Sequence, residues 1–281
     1  SKAFPMEGVK ELNGIIKANV TAKASMRQID AQQYDQVQMA GNFNIQNLTY
    51  KAADMPAVKI NSLITSLSPQ KVDIQTFDAR LGKSDIRASG KIDNILAYFS
   101  TNKTMRGNLT MRSSFFDANE WMEEPADETA PPGKVPTASA AATEKVFDQW
   151  DFTVDGEIGK LVYEDYKISD MSLKGNFTPN KMTIDNFGMK IGESDLRGNG
   201  RILNAWDYLF DNRTVSGVVN LQSGFFDLNP FMTEETSSST TAPAESVMLV
   251  PENIDMAINA DFAKVRYTNL DLQNLDGQVV V

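Results

Sequence analysis

Apolar and polar residues alternate with a period of two along most of this chain. Met105, Gly107, Leu109 and Met111 fall on one side, and Arg106, Asn108, Thr110 and Arg112 on the other. Ile86, Ala88, Gly90 and Ile92 alternate with Arg87, Ser89 and Lys91, and Leu196, Gly198, Gly200 and Ile202 with Arg197, Asn199 and Arg201. Val215, Gly217, Val219 and Leu221 repeat the pattern, with Val218 as its exception. Such alternation marks strands with one covered face and one wet face. It predicts further strands over 39–45, 58–66, 152–158, 171–177 and 254–262. Val72 and Ile74 share one parity, while Phe77, Ala79 and Leu81 take the other; Met182 and Ile184 change phase in the same way before Phe187, Met189 and Ile191. A one-residue phase change inside a strand predicts a bulge, and a recurring one predicts curvature. Helical spacing is confined to short pieces, 94–99 and 204–209, each opened by an Asn suited to cap a first turn. Residues 28–38 read as a further polar helix or a long loop.

The text also repeats. Ser84-Asp-Ile-Arg-Ala-Ser-Gly-Lys-Ile92 returns 110 residues later as Ser194-Asp-Leu-Arg-Gly-Asn-Gly-Arg-Ile202, and Phe115-Phe-Asp-Ala-Asn-Glu-Trp-Met122 returns as Phe225-Phe-Asp-Leu-Asn-Pro-Phe-Met232. Roughly twenty of about fifty paired positions are identical, which is the mark of an internal repeat. The segment 258–267 lines up with 154–163, and the strand at Gly14 resembles those at Gly107 and Gly217. The expected organisation is therefore a tail of a preceding unit over 1–38, a β-unit over 39–122, a flexible linker over 123–145, a second unit over 146–232, a linker over 233–246, and the start of a truncated third unit over 247–281. The linkers are rich in Pro, Ala, Ser, Thr and Glu and lack the apolar residues to order themselves. The chain opens at Ser1 and closes in the apolar run Gln278–Val281, so it reads as a piece of a longer protein.

Composition narrows the chemistry. Hydrophobic residues make up 41%, enough for a core. The net charge of −10 argues against nucleic acid and against a polybasic lipid-docking patch. There is no His and no Cys, so disulfides, Ser-His-Asp and Cys-His catalysis, and His/Cys metal sites are excluded. No phosphate-binding Gly-rich loop occurs, and no apolar run is long enough to span a bilayer as a helix. Asp117 and Asp227 in the repeated signature are candidate acids. They occupy equivalent places in two units instead of facing each other, so they read as acceptors for backbone N–H groups at a strand-to-helix corner. Several Asn-x-Thr triplets read as chance in an Asn- and Thr-rich chain.

The apolar strand faces must be covered by something, and few helices are available to do it. Either a second sheet lies on them, or the sheet curls into a trough whose greasy wall is filled by ligand. The 13 Met residues suit an adaptable lining. In each pair Phe115-Phe116 and Phe225-Phe226, one ring is expected in the core or lining a groove.

The Gly-centred strand followed by Phe-Phe-Asp-x-Asn-x-x-Met resembles the carboxy-terminal repeat of the AsmA family. Ser223 through Asn229 (Ser-Gly-Phe-Phe-Asp-Leu-Asn) follows that family's Ser-x-x-Leu-Asp-Leu-Asn text closely, and Ser113 through Asn119 departs at Ala118. The resemblance implies a protein of the Gram-negative envelope, periplasmic, anchored to the inner membrane by a segment outside this sequence. It implies similarity to bridge-like lipid-transfer proteins, with a role in outer-membrane biogenesis. The expected fold is mainly β: tandem repeats of curved, mostly antiparallel sheet forming an elongated groove, with one short helix per unit. The expected function is non-enzymatic lipid binding and transfer, with phospholipid or another acyl-chain lipid as partner, possible envelope proteins as others, and no cofactor or metal. Ile86, Ile92, Leu109, Met111, Phe115, Leu196, Ile202, Val219, Leu221 and Phe225 are the candidate groove residues. The rival expectations are a structural or adhesive β-repeat with a sealed core and, more remotely, a carbohydrate-active enzyme whose two acids face each other.

Overall fold

A computed structural model describes residues 9–31, 36–52, 55–96, 104–122, 149–211, 213–232 and 253–281. The described residues are mainly β, with 75% strand against 9% helix. Both expected linkers, 123–145 and 233–246, lie outside the described residues. The chain divides between Pro179 and Asn180 into two compact units.

The first unit is a sheet laid down in chain order: β1 (Val9–Lys23), β2 (Gln38–Ala52), β3 (Val58–Ser68), β4 (Lys71–Leu81), β5 (Ser84–Asp93), β6 (Met105–Asp117), β7 (Trp150–Tyr163) and β8 (Tyr166–Phe177). Each strand pairs antiparallel with its neighbour, except β6 and β7, which run parallel. The second unit holds β9 (Lys181–Ile191), β10 (Ser194–Leu203), β11 (Val215–Ser223), the two-residue β12 (Phe226–Asp227), β13 (Ile254–Tyr267) and β14 (Leu270–Val280). Here β9–β10–β11 and β13–β14 are antiparallel, while β11 and β12 both lie parallel to β13.

The local reasons are legible. Long alternating runs give the strands, and two-residue links with a left-handed residue give the tight hairpins. Gly82 (φ +60°) and Gly192 (φ +59°) fill that place between β4 and β5 and between β9 and β10. The predicted phase changes are bulges: the β4–β5 register slips between Ile74 and Phe77, and the β9–β10 register slips at the matching place, between Gly198 and Gly200.

Among the described residues the helices are few and short: α1 (Met26–Asp30), α2 (Asn119–Met122) and α3 (Ala205–Asp211), with a 3-10 turn at Asn229–Phe231. Helix α1 is closed by a capping box, with the Gln28 N–H donating to Ser25 Oγ (3.2 Å) and the Ser25 N–H to Gln28 Oε1 (2.8 Å). Only Ile95 and Leu96 of the expected turn over 94–99 are helical among the described residues, and 97–99 lie outside them. Asn94 and Asn204 hold the junctions where capping was expected. Both are left-handed (φ +57° and +58°), and their N–H groups donate to Gln70 O (2.6 Å) and Asn180 O (3.0 Å). Asn tolerates that conformation better than most residues, so it serves here as the corner itself.

The interior is small. Among the described residues only Ile45, Ala79, Phe262 and Val265 are buried hydrophobics. The described part of each unit contains no second sheet stacked on the first.

Candidate functional site

Strand register turns the alternating text into rows. In the first unit Ile16, Ile45, Leu63, Phe77, Ala88, Met111, Gly156 and Leu173 are successive partners from β1 to β8. Beside them run Ala18, Phe43, Thr65, Ile74, Gly90, Leu109, Val154 and Gly175, and then Val20, Gly41, Leu67, Val72, Ile92, Gly107, Phe152 and Phe177. Eight strands at about 4.8 Å make rows about 34 Å long. Thr65 is the one polar member, and its hydroxyl donates to Phe43 O at 2.8 Å, so it adds no unmet polarity. The second unit carries shorter rows: Phe187, Gly198, Leu221, Ala260 and Gly277; Ile184, Gly200, Val219, Ile258 and Val279; Met182, Ile202, Gly217 and Met256.

These rows collect eight of the ten candidate residues on the apolar face of their own unit. Ile92, Leu109 and Met111 lie in the first unit's rows, and Ile86, the partner of Ala79, shares their face. Ile202, Val219 and Leu221 lie in the second unit's rows, joined by Leu196, the partner of Met189. None of the eight is buried, and Met111 is 37% exposed. A recess of about 270 Å³ opens in the first unit among Ile86, Met111, Phe116, Val154, Ile158, Met171 and Leu173. It sits where Gly156 leaves a gap between Met111 and Leu173. The volume falls just short of the roughly 300–1,000 Å³ of ordinary small-molecule pockets, so the recess is a dimple in a larger greasy surface.

Glycines shape that surface. A Cβ on Gly107 would lie 2.5 Å from the Phe152 ring, so the absence of a side chain is what lets the ring lie flat across β6. Gly156 has open space instead, its nearest neighbour being Leu173 O at 3.8 Å.

Phe115 and Phe225 do not join the rows. The Phe225 ring lies beneath Arg266 (4.9 Å) and Lys264 (5.5 Å), on the charged side. Phe226 takes the apolar side, stacked on Phe231 (5.5 Å) and tilted against Phe262 (5.3 Å). In the first unit Phe116 lines the recess, while Phe115 pairs with Lys160. The cause is a one-residue phase change after Ser113 and Ser223. Asp85 draws the N–H groups of Ser114 (3.1 Å) and Phe115 (2.9 Å) onto its carboxylate, and Asp195 does the same to Gly224 (3.0 Å) and Phe225 (2.9 Å).

The rest of the repeated signature is a staple. Ser84 Oγ accepts the Asp117 N–H, and Ser194 Oγ the Asp227 N–H, both at 2.9 Å. Asp117 Oδ1 and Asp227 Oδ1 accept from Asn119 N–H (3.2 Å) and Asn229 N–H (3.0 Å). These two acids thus hold backbone donors, as expected. The carboxyl of Asp195 lies below its ordinary value, chiefly through the Gly224 N–H, against burial and with help from Phe225 and Arg197. For Asp85 burial is the largest influence and pushes upward, but the N–H groups of Ser114 and Phe115, the Ser114 hydroxyl and Arg87 together outweigh it.

The opposite face is polar. Arg112 pairs with Asp155 and Glu157, each at 3.0 Å, and Arg87 with Asp78 at 3.3 Å. In the second unit an amide ladder crosses four strands: Gln278 donates to Asn259, Asn259 to Asn220 and Asn220 to Asn199, each at 2.8 Å. One face is thus wet and the other greasy, and no group of three or more acidic residues placed to hold a metal occurs among the described residues.

Sequence reading placed the apolar face on β5, β6, β10 and β11 but missed β1–β4, β7 and β8 as contributors to the same rows. Their alternation was visible at Phe43/Ile45 and Val154/Gly156; which strand lies next to which was not. Comparison with protein-family models, with curated proteins and with solved structures finds no match to this chain.

Proposed function

We propose that this chain is a lipid-binding and lipid-transfer segment of an AsmA-like protein of the bacterial envelope, working in the periplasm without catalysis. The observation that carries this reading is the row Phe77–Ala88–Met111–Gly156–Leu173 and its neighbours, which line up in register yet stay half-exposed. Apolar surface left uncovered at this scale costs about 25 cal/mol per Å² and marks a binding site in a native protein. An acyl chain is the ligand that a long, almost wholly apolar strip suits. The first unit's rows from Phe77 to Leu173 have counterparts from Phe187 to Gly277, 110 residues on as far as Leu221 and 104 residues on at Ala260 and Gly277. On this reading the two are tandem repeat units, and each strip serves as the floor of a curved groove.

Native mass spectrometry of gently purified protein tests the reading. Bound phospholipid or another acyl lipid is the expected result; a clean apo mass from several preparations, with no lipid taken up from vesicles, overturns it. The rival is a sealed structural or adhesive repeat. It draws on the Phe226–Phe231–Phe262 cluster and on Val265, 2% exposed, where the second unit closes on its own side chains. Negligible binding of a naphthalene sulfonate dye to the native state is its signature.

A further inference from the structure

Ser113 and Ser223 occupy the same place in β6 and β11, and the staple uses neither. Both hydroxyl oxygens are buried, and neither has a hydrogen-bond partner. Ser223 is 3% exposed. A buried polar atom left unpaired costs about 1–3 kcal/mol, and one that recurs at equivalent places calls for an explanation. Strand alternation puts Ser113 on the face of Met111, and it lines the apolar recess with Ile86, Phe116, Ile158 and Leu173. It is the one uncharged polar side chain there. In the second unit the partner of Ser223 is Phe262, where Ser113 faces the smaller Ile158. The larger ring, packed with Phe226, takes the space beside Ser223 that the recess occupies beside Ser113.

We propose that the Ser113 hydroxyl is a hydrogen-bond anchor for the carbonyl oxygen of an acyl ligand seated in this recess. The inference rests on the lipid-binding reading and narrows it: the recess takes a chain that ends in a carbonyl, not a bare hydrocarbon. The hydrocarbon lies against Met111, Phe116 and Leu173, and the hydroxyl, covered in the unliganded chain, rotates toward the recess so that the Oγ–H donates to the carbonyl at its end. An acyl ester and a free carboxyl group share that acceptor.

The 281-residue chain is titrated calorimetrically with a monoacylglycerol, a fatty acid and a 1-O-alkylglycerol of equal chain length, the last lacking the carbonyl. One neutral hydrogen bond predicts that the carbonyl ligands bind about threefold to tenfold tighter than the ether. The gap should close in Ser113→Ala and Ser113→Val and persist in Ser113→Thr. A gap for the fatty acid alone, or for the ester alone, also supports the anchor and names its source. Equal binding of all three ligands by the wild-type chain, or a gap that survives Ser113→Val, overturns the anchor while leaving lipid binding intact. Failure of all three to bind overturns the lipid reading itself. Without ligand, Ser113→Ala should keep or raise the melting temperature, since it removes an unpaired group; a clear fall would assign the hydroxyl to the fold and overturn the proposal.

Discussion

Asn119 satisfies both backbone groups of Glu164: its Oδ1 accepts the Glu164 N–H at 2.6 Å and its Nδ2 donates to Glu164 O at 3.0 Å. Asn229 treats Thr268 in the same way, at 2.7 and 3.1 Å. Glu164 (φ +50°) and Thr268 (φ +54°) are the left-handed residues in the β7–β8 and β13–β14 turns. The Asn of the repeated signature therefore ties the end of one strand run to a hairpin tip about 40 residues away, and holds that tip in a backbone shape that non-Gly residues resist.

Asn119→Ala and Asn229→Ala should each remove two hydrogen bonds, a loss of about 1–3 kcal/mol. The second should cost more, because a β-branched residue is the worse occupant of left-handed backbone. Amide hydrogen exchange at Glu164 and Thr268 reads this locally. Faster exchange at each tip is expected, and Thr268→Gly in the Asn229→Ala background should recover part of the lost stability. Unchanged exchange would mean that the turns stand without the staple.

Asp85 and Asp195 give the staple a pH dependence. Both carboxyls lie below their ordinary value in the folded chain, so folding favours the ionised form. Their contribution is complete above the unfolded carboxyl value of about 3.9 and disappears as pH falls through the lower folded values. Thermal melts should therefore drop steeply below about pH 4. Asp85→Asn and Asp195→Asn should lower the melting temperature at pH 7 and flatten the acid limb, because an amide offers one acceptor where the carboxylate offers two. An acid limb as steep in the double variant as in the wild type would assign the sensitivity to other groups.

The fold and the site were unequally legible in the text. Period two at Leu109/Met111 and the phase change at Ile74/Phe77 are local facts, and the structure has a strand and a bulge there. The parity of Ile86 through Leu221 likewise put eight candidates on the apolar face of their own units. Phe115 and Phe225 went wrong because their facing depends on Asp85 and Asp195, 30 residues away in sequence, pulling two successive amides onto one carboxylate. No window around Phe115 contains that information. The recess was invisible for a related reason: Gly156 is a gap only because Met111 and Leu173, from strands on either side, flank it in register.

That gap gives the sharpest handle on ligand binding. A Cβ on Gly156 meets nothing closer than 3.8 Å, and Ala260 holds the matching place in the second unit. Gly156→Ala should therefore fold normally and leave binding close to wild type. Gly156→Leu projects four carbons into a recess of about 270 Å³ and should compete with an acyl chain for it. Displacing a ligand segment from that much apolar contact predicts at least a tenfold loss of affinity for acyl ligands, or about 1.4 kcal/mol. Thr110→Lys, on the exposed polar face one residue from Met111, adds bulk and charge outside the strip and should leave binding unchanged. If Gly156→Leu binds acyl ligands as well as Gly156→Ala while keeping the wild-type melting temperature, the recess is not where the chain lies and the strip must be used elsewhere along its rows.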